Sequence, residues 1–271
     1  MDTHVDYSKY EYLTVAKIDG IATVTFNRPD ARNAISPEVH KEIEYIWTDL
    51  ARDPEITVIV LTGAGKAFSA GGDIKRMAER AGTEFGLQYA LAVPLNTLRI
   101  YEHMALTPQP IIAAVNGDAI GLGLTLALFS DISIVADDAK LGDTHVRVGM
   151  VAGDGGCVIW PLLIGVQKAK EYLMRGKLFS GAEAAEMGLV NYAEPKDQVL
   201  EKAMEIAREL VSLPKQAVSW TKQAVNKTVK QQMNLTLDTS IAYESLTMLT
   251  HDYKEAANAM VEKRRPSFRG W

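Results

Sequence analysis

The chain has 271 residues, enough for one large domain or a core domain with a smaller appendage, and enough to bury a core without disulfide or metal staples. A formal net charge of −5 with no basic block argues against nucleic acid, although a local basic pocket for a phosphorylated ligand stays open. The single cysteine, Cys157, excludes an intramolecular disulfide, speaks against a cysteine metal cluster, and fits a cytosolic or otherwise reducing compartment.

Met1 to Glu11 is polar and carries no apolar signal-type segment. Two strand-like runs follow, 12–18 and 21–26, joined by the turn pair Asp19-Gly20. Ser36 with Pro37 predicts a helix start, and Val39, Ile43, Ile46, Trp47 and Leu50 recur at helical spacing behind it. Residues 57–62 form a short β-branched run of the kind buried in a parallel sheet. The glycine-rich segment 63–72 leads to a predicted helix over 73–80, and another covers 84–104. The pattern then recurs: a strand at 111–115, a glycine-bearing turn at 116–123, a short buried helix at 124–129 and a strand at 132–135. The apolar runs on either side of this turn are broken by Asn116, Gly117 and Asp118 and are too short to span a membrane. Helical character resumes over 165–175, and Ser180 with Glu183 has capping-box spacing.

After about Pro195 the strand signal fades. Val199, Ala203, Ile206, Ala207 and Leu210 form an apolar stripe, and Pro214 punctuates the helices that follow. Alternating strands and helices with an all-helical tail predict an α/β core over residues 1–195 and a helical C-terminal region over 196–271.

Two glycine-rich turns carry the chemistry. One is Lys66-Ala67-Phe68-Ser69-Ala70-Gly71-Gly72-Asp73-Ile74, and the other is Asn116-Gly117-Asp118-Ala119-Ile120-Gly121-Leu122-Gly123. Small residues let backbone approach a ligand, and a helix N-terminus offers unpaired N–H groups with a favourable dipole. Two such donors on one carbonyl oxygen would form an oxyanion hole, worth roughly 3–4 kcal/mol per donor in other enzymes. Alone, each turn reads first as the solution to a packing or turn problem, as most glycine-rich strand-to-helix turns do. Neither matches a G-x-G-x-x-G dinucleotide fingerprint or a Walker phosphate loop.

With their surroundings these segments resemble the crotonase (enoyl-CoA hydratase/isomerase) superfamily. The resemblance runs from Phe26-Asn27-Arg28-Pro29 through Arg32-Asn33-Ala34, the Ala67–Ile74 segment, Ala113-Ala114-Val115-Asn116-Gly117 and Ser130-Asp131-Ile132 to Val261-Glu262-Lys263-Arg264. It implies an α/β spiral of ββα units, a helical trimerisation region, and trimers or paired trimers. It further implies an acyl-CoA thioester substrate polarised by the N–H groups of Gly72 and Leu122, with no prosthetic group and coenzyme A entering as part of the substrate. The CoA-binding positions implied are Arg28, Ala70, Gly72, Asp73 and Ile74, with Lys263 as a phosphate contact. A surface salt bridge is the alternative reading for Arg28, and a solvated helix end for Lys263.

Hydratases of this kind use two glutamates. Their positions fall on Thr125 and His145, so a two-glutamate hydratase is not expected. Instead His145 and Asp154 stand in this stretch. An imidazole near pKa 6.5 can take a proton from water, and a carboxylate can orient it. The alternative is that Asp154 caps the apolar helix entering 158–164. The pair, with Gly153-Asp154-Gly155 and Val158-Ile159-Trp160-Pro161, resembles the 6-oxocamphor hydrolase and β-diketone hydrolase branch, which cleaves a C–C bond between two carbonyls. That likeness implies catalytic roles for His145 and Asp154, with Glu244 reaching the site to orient His145 or lying on a helix surface. The retained CoA motifs point to a thioester, such as a β-ketoacyl-CoA or a cyclic 1,3-dicarbonyl CoA compound. Hydration or isomerisation with replaced acid and base residues is the nearest rival, and a non-catalytic acyl-CoA-binding protein is a rival of another class. The five histidines, His4, His40, His103, His145 and His251, show no i, i+4 ligand pair, so no metal site is expected.

Overall fold

The computed structural model describes residues 5–271; the start of the polar N-terminal stretch, His4 included, lies outside the described residues. Strands β1 (Leu13–Ile18) and β2 (Ile21–Phe26) pair antiparallel with Ile18 opposite Ile21. Asp19 and Gly20 both adopt positive φ, 50° and 80°, as a two-residue hairpin turn of this twist requires. Helix α1 (Pro37–Arg52) begins where the Ser36 hydroxyl accepts a bond from the Val39 amide, and Val39, Ile43, Ile46, Trp47 and Leu50 are all buried.

Strand β3 (Val58–Gly63) is buried along its whole length, as expected of a run flanked on both faces. It is followed by β4 (Ala67–Ser69), α2 (Ile74–Arg80) and α3 (Glu84–Leu106). The next turn of the fold holds β5 (Ile111–Val115), β6 (Asp118–Ile120) and α4 (Leu122–Phe129). Then come β7 (Ile132–Ala136), β8 (Lys140–Gly142), α5 (Gly156–Ile164) and α6 (Val166–Arg175). After β9 (Phe179–Ser180), α7 (Gly181–Glu186) and β10 (Tyr192–Glu194), the chain continues as α8 (Val199–Ser212), α9 (Lys215–Thr247) and α10 (His251–Val261). The expected capping box is present at α7, where Ser180 and Glu183 bond reciprocally.

The strands divide between two sheets. One has the order β1-β2-β3-β5-β7-β10 and the other β4-β6-β8-β9. Apart from the β1–β2 and β8–β9 pairs, neighbouring strands run parallel. Successive strands therefore alternate between sheets: β3 then β4, β5 then β6, β7 then β8, with helices between the pairs. This is the ββα spiral that the resemblance implied. The three-residue strands β4 and β6 fall in the segments read from sequence as glycine-rich turns, and β8 in a stretch given no element. They are too short for side-chain alternation to register, and only pairing with their neighbours makes them strands.

The C-terminal region is helical. Helix α8 lies across β2, β3, β5 and β7, α9 packs along α3 and α5, and α10 packs on α2. No described helix is long and apolar enough to cross a membrane.

Candidate active site

Strands β4, β6 and β8 lie side by side, with Ser69 beside Ala119 after a register shift in β4, Ala119 beside Leu141 and Ile120 beside Gly142. Because the three run parallel, their carboxyl ends face the same way, and the segments leaving them are neighbours. Ligands of open parallel sheets bind at such carboxyl ends. Here the three segments supply Gly72, Leu122 and His145, which all line one cavity of about 170 Å³. Ala70, Ile74, Asp154 and Glu244 line it too.

Two backbone amides in these segments, those of Gly72 and Leu122, stand out among neighbours that are bonded. Ile35 donates to the Gly71 carbonyl at 2.8 Å, and Asp73 donates to the Ile35 carbonyl at 3.1 Å. The Gly71 amide bonds to the Ser69 hydroxyl at 3.2 Å, whereas the Gly72 amide between them has no acceptor among the described residues. On the second segment the Gly121 amide donates to the Gly142 carbonyl at 3.0 Å. Leu122 is the first residue of α4, so its amide has no partner within the helix. The sequence reading placed this helix two residues later; its earlier start leaves the Leu122 N–H as an orphan donor. Leu122 is also among the residues that line the cavity.

His145 sits in a short 3₁₀ turn, buried, between two carboxylates. Its Nδ1 is 2.7 Å from Asp143 Oδ1, and its Nε2 is 3.2 Å from Asp154 Oδ2. Asp143 Oδ1 also accepts the His145 backbone amide at 3.2 Å, which fixes the turn and the ring together. Gly121, at φ 53°, gives the ring room: a Cβ there would lie 3.3 Å from the His145 Cε1. Burial alone would depress the imidazole's pKa, but the charges and hydrogen bonds of Asp143 and Asp154 outweigh it and hold the ring well above its ordinary value. The sequence reading had the imidazole take a proton from water; flanked by two aspartates, the ring is instead shifted toward its protonated form.

Asp154 does not cap the following helix, which starts from Gly155 at φ 102° without a side-chain cap. Its backbone carbonyl accepts a bond from the Tyr101 hydroxyl, and its Oδ1 has no partner among the described residues. Glu244 is no surface residue of α9: it is buried, and its Oε2 likewise lacks a partner. It makes no hydrogen bond to His145, whose two ring nitrogens face Asp143 and Asp154 instead. Burial, reinforced by the charge of Asp154, pushes the Glu244 carboxyl well above the usual carboxylate range. Asp143, His145 and Asp154 cluster within 4.8 Å of one another, with both ring nitrogens engaged.

The other expected binding residues, Arg28, Asp73 and Lys263, are not among the residues that line the cavity. Arg28 donates to the Ala34 carbonyl at 2.6 Å and stands 3.5 Å from Asp73 Oδ2, while Asp73 caps α2. Lys263 is exposed just beyond α10, whose Met260 lines the cavity. Thr125 is buried, its hydroxyl donating to the Gly121 carbonyl at 3.1 Å, so no carboxylate stands at that position. The sequence reading assigned no role to Asp143, Arg80 or His40. For Asp143 a signal existed, an aspartate two residues before a histidine in a loop; for Arg80 and His40, on different helices, none did.

A chain with this fold and these loops can be compared with known proteins. A probable enoyl-CoA hydratase of Mycobacterium tuberculosis is 34% identical over 259 residues, covering 96% of this chain and 98% of that protein. The 1,2-epoxyphenylacetyl-CoA isomerase of Escherichia coli is 32% identical over 252 residues, covering 93% and 95%. The crystal structure of an enoyl-CoA hydratase/isomerase from Mycobacterium paratuberculosis superposes with a TM-score of 0.87 at 35% identity, covering 93% of this chain and 99% of that one. The sequence pattern of the enoyl-CoA hydratase/isomerase family matches residues 16–270, and the chain belongs to that family of acyl-CoA enzymes.

Proposed function

We propose that the cavity takes the acyl group of a CoA thioester and that the reaction is hydrolytic C–C cleavage of a β-dicarbonyl thioester. In this reading the Gly72 and Leu122 amides form an oxyanion hole for the thioester oxygen. The observation that carries it is the Asp143–His145–Asp154 arrangement beside two unpartnered amides, where the two-glutamate pattern has only a buried Thr125 and an imidazole.

The chemistry follows from the proton inventory. Water adds through oxygen to the carbon of the distal ketone, and its proton passes to the Asp154 carboxylate. The tetrahedral adduct collapses and the bond between the ketone carbon and Cα breaks. Its electron pair moves to Cα and, by delocalisation, to the thioester oxygen in the oxyanion hole. His145, already protonated, delivers a proton to Cα, and the proton on Asp154 returns to the imidazole across the 3.2 Å contact. The sum is β-ketoacyl-CoA plus water giving a carboxylic acid and a shorter acyl-CoA. The division of roles differs from the sequence reading, where His145 activated the water.

Hydration of an enoyl thioester is the second reading. It is favoured by two carboxyl groups on one cavity, Asp154 and the raised-pKa Glu244, which could divide base and acid roles. The names of the relatives point the same way. Acetoacetyl-CoA and crotonyl-CoA separate the two. Formation of acetyl-CoA and of acetate labelled from H₂¹⁸O, lost in Asp154→Asn, supports cleavage. Turnover of crotonyl-CoA with no cleavage of acetoacetyl-CoA refutes it. Arg28, the Ala70 segment and Lys263 would hold the CoA nucleotide. Exposed apolar side chains along α3 and α9, among them Leu91, Leu95, Trp220 and Leu235, support a trimer or hexamer, which sedimentation would count.

A further inference from the structure

One wall of the cavity is polar for no reason the proposed chemistry supplies. Arg80, the last residue of α2, lines the cavity and is only 9% exposed. Its guanidinium lies 3.8 Å from the centre of the Tyr89 ring on α3 and forms no ion pair with any described carboxylate. Its backbone is pinned: the Arg80 carbonyl accepts from the Thr83 amide at 3.1 Å and from the Thr83 hydroxyl at 2.7 Å. That same hydroxyl caps α3 through the Gly86 amide at 3.1 Å.

A guanidinium cannot shed its proton in a protein, and burying its charge without an opposite charge is unfavourable; the side chains of Tyr89 and Tyr253 interact with it but are neutral phenols. The groups around it do not neutralise it locally. His40 on α1, which also lines the cavity, is pushed down to about 4 by burial and by the Arg80 charge, and is therefore a neutral imidazole. Glu244 feels Arg80 electrostatically, but its carboxyl is driven toward the neutral form by burial and Asp154. A fixed cation thus faces an acyl-sized cavity, with an aromatic face behind it and a neutral donor-acceptor ring beside it.

We propose that Arg80 selects the acyl group: it pairs with a carboxylate borne by the acyl chain, so the preferred ligands are CoA monothioesters of dicarboxylic acids, including their oxo derivatives. A planar guanidinium matches a carboxylate in a two-point bond. The proposal rests on the reading of this cavity as the acyl-thioester site. The competing role, a permanent counter-charge for Glu244, needs no ligand carboxylate.

The test measures binding by calorimetry to unreactive saturated thioesters in pairs of equal carbon count, one ending in methyl and one in carboxylate, across chains such as pentanoyl-CoA and glutaryl-CoA and longer homologues. Wild type should favour the acidic member by roughly tenfold or more at one or more lengths, the size of a charge-assisted pair. Arg80→Met should erase that preference while leaving the neutral member almost unchanged, and Arg80→Lys should keep part of it. Equal binding of both members by wild type at every length overturns the proposal. So does equal weakening of both in Arg80→Met, the mark of a structural counter-charge. If Arg80→Met does not fold, the wild-type preference and Arg80→Lys decide. If no thioester binds better than free CoA, the acyl-thioester reading itself fails, a different result from indifference to the carboxylate.

Discussion

Gly153 and Glu244 are separated by less than one methyl group: a Cβ built on Gly153 would lie 2.6 Å from the Cβ of Glu244 and 2.3 Å from the Ser240 carbonyl oxygen. The Ser240 hydroxyl, 2.9 Å from the Gly153 carbonyl, closes the same contact. This close approach seats the Asp154 loop on α9 and brings two carboxyl groups from residues 90 apart in sequence onto one cavity. Gly153→Ala should therefore destabilise the fold by about 1–3 kcal/mol, the usual cost of overpacking. It should also lower turnover by displacing Asp154, and denaturant midpoints with activity measured on the folded fraction check both effects.

Leu122 occupies the first position of α4, where proline is tolerated because the amide is an orphan. Leu122→Pro should then keep the fold yet remove the amide proposed as one oxyanion donor, lowering kcat by roughly a hundred- to a thousandfold. Leu122→Ala, which keeps the amide, is the control and should retain most of the turnover. Comparable loss in both variants would transfer the effect from the amide to the side chain.

Asp143 and Asp154 together hold the His145 proton. Asp143→Asn removes one of the two charges, so the imidazole should give up its proton at a distinctly lower pH than in wild type. Nitrogen-15 spectra of the histidine rings, assigned with His145→Gln, follow that titration. An unchanged midpoint would mean that Asp154 alone carries the effect.

Glu244 binds its proton more tightly folded than unfolded. The stability it contributes is present below the unfolded carboxyl pKa of roughly 4.3 and is lost as pH rises toward its raised folded value. Glu244→Gln, with a neutral amide in the same space, should flatten this decline, so the variant gains on wild type as pH rises from about 4.5 to neutrality. Melting temperatures across that range read the difference directly.

Much of the fold was legible because its signals are local. The Ser36–Pro37 start of α1, the Asp19-Gly20 hairpin, the β-branched run of β3 and the Ser180–Glu183 capping box each depend on residues within a few positions of one another. The family resemblance added the ββα spiral and the identity of the two glycine-rich segments, and it directed attention to His145 and Asp154.

What the linear order determined, then, was most of the elements, the family and the segments that build the candidate site. Only the tertiary structure decided the charge state of the site and the polarity of its far wall. A pKa depends on which charges surround a group and how much water they exclude. The His145 imidazole is shifted toward its protonated form because Asp143 and Asp154 close on its two ring nitrogens, and Glu244 reaches the same cavity because Gly153 lets α9 approach. Arg80 and His40, from α2 and α1, meet the same cavity only once the helices pack, and periodicity within one helix carries no trace of that meeting.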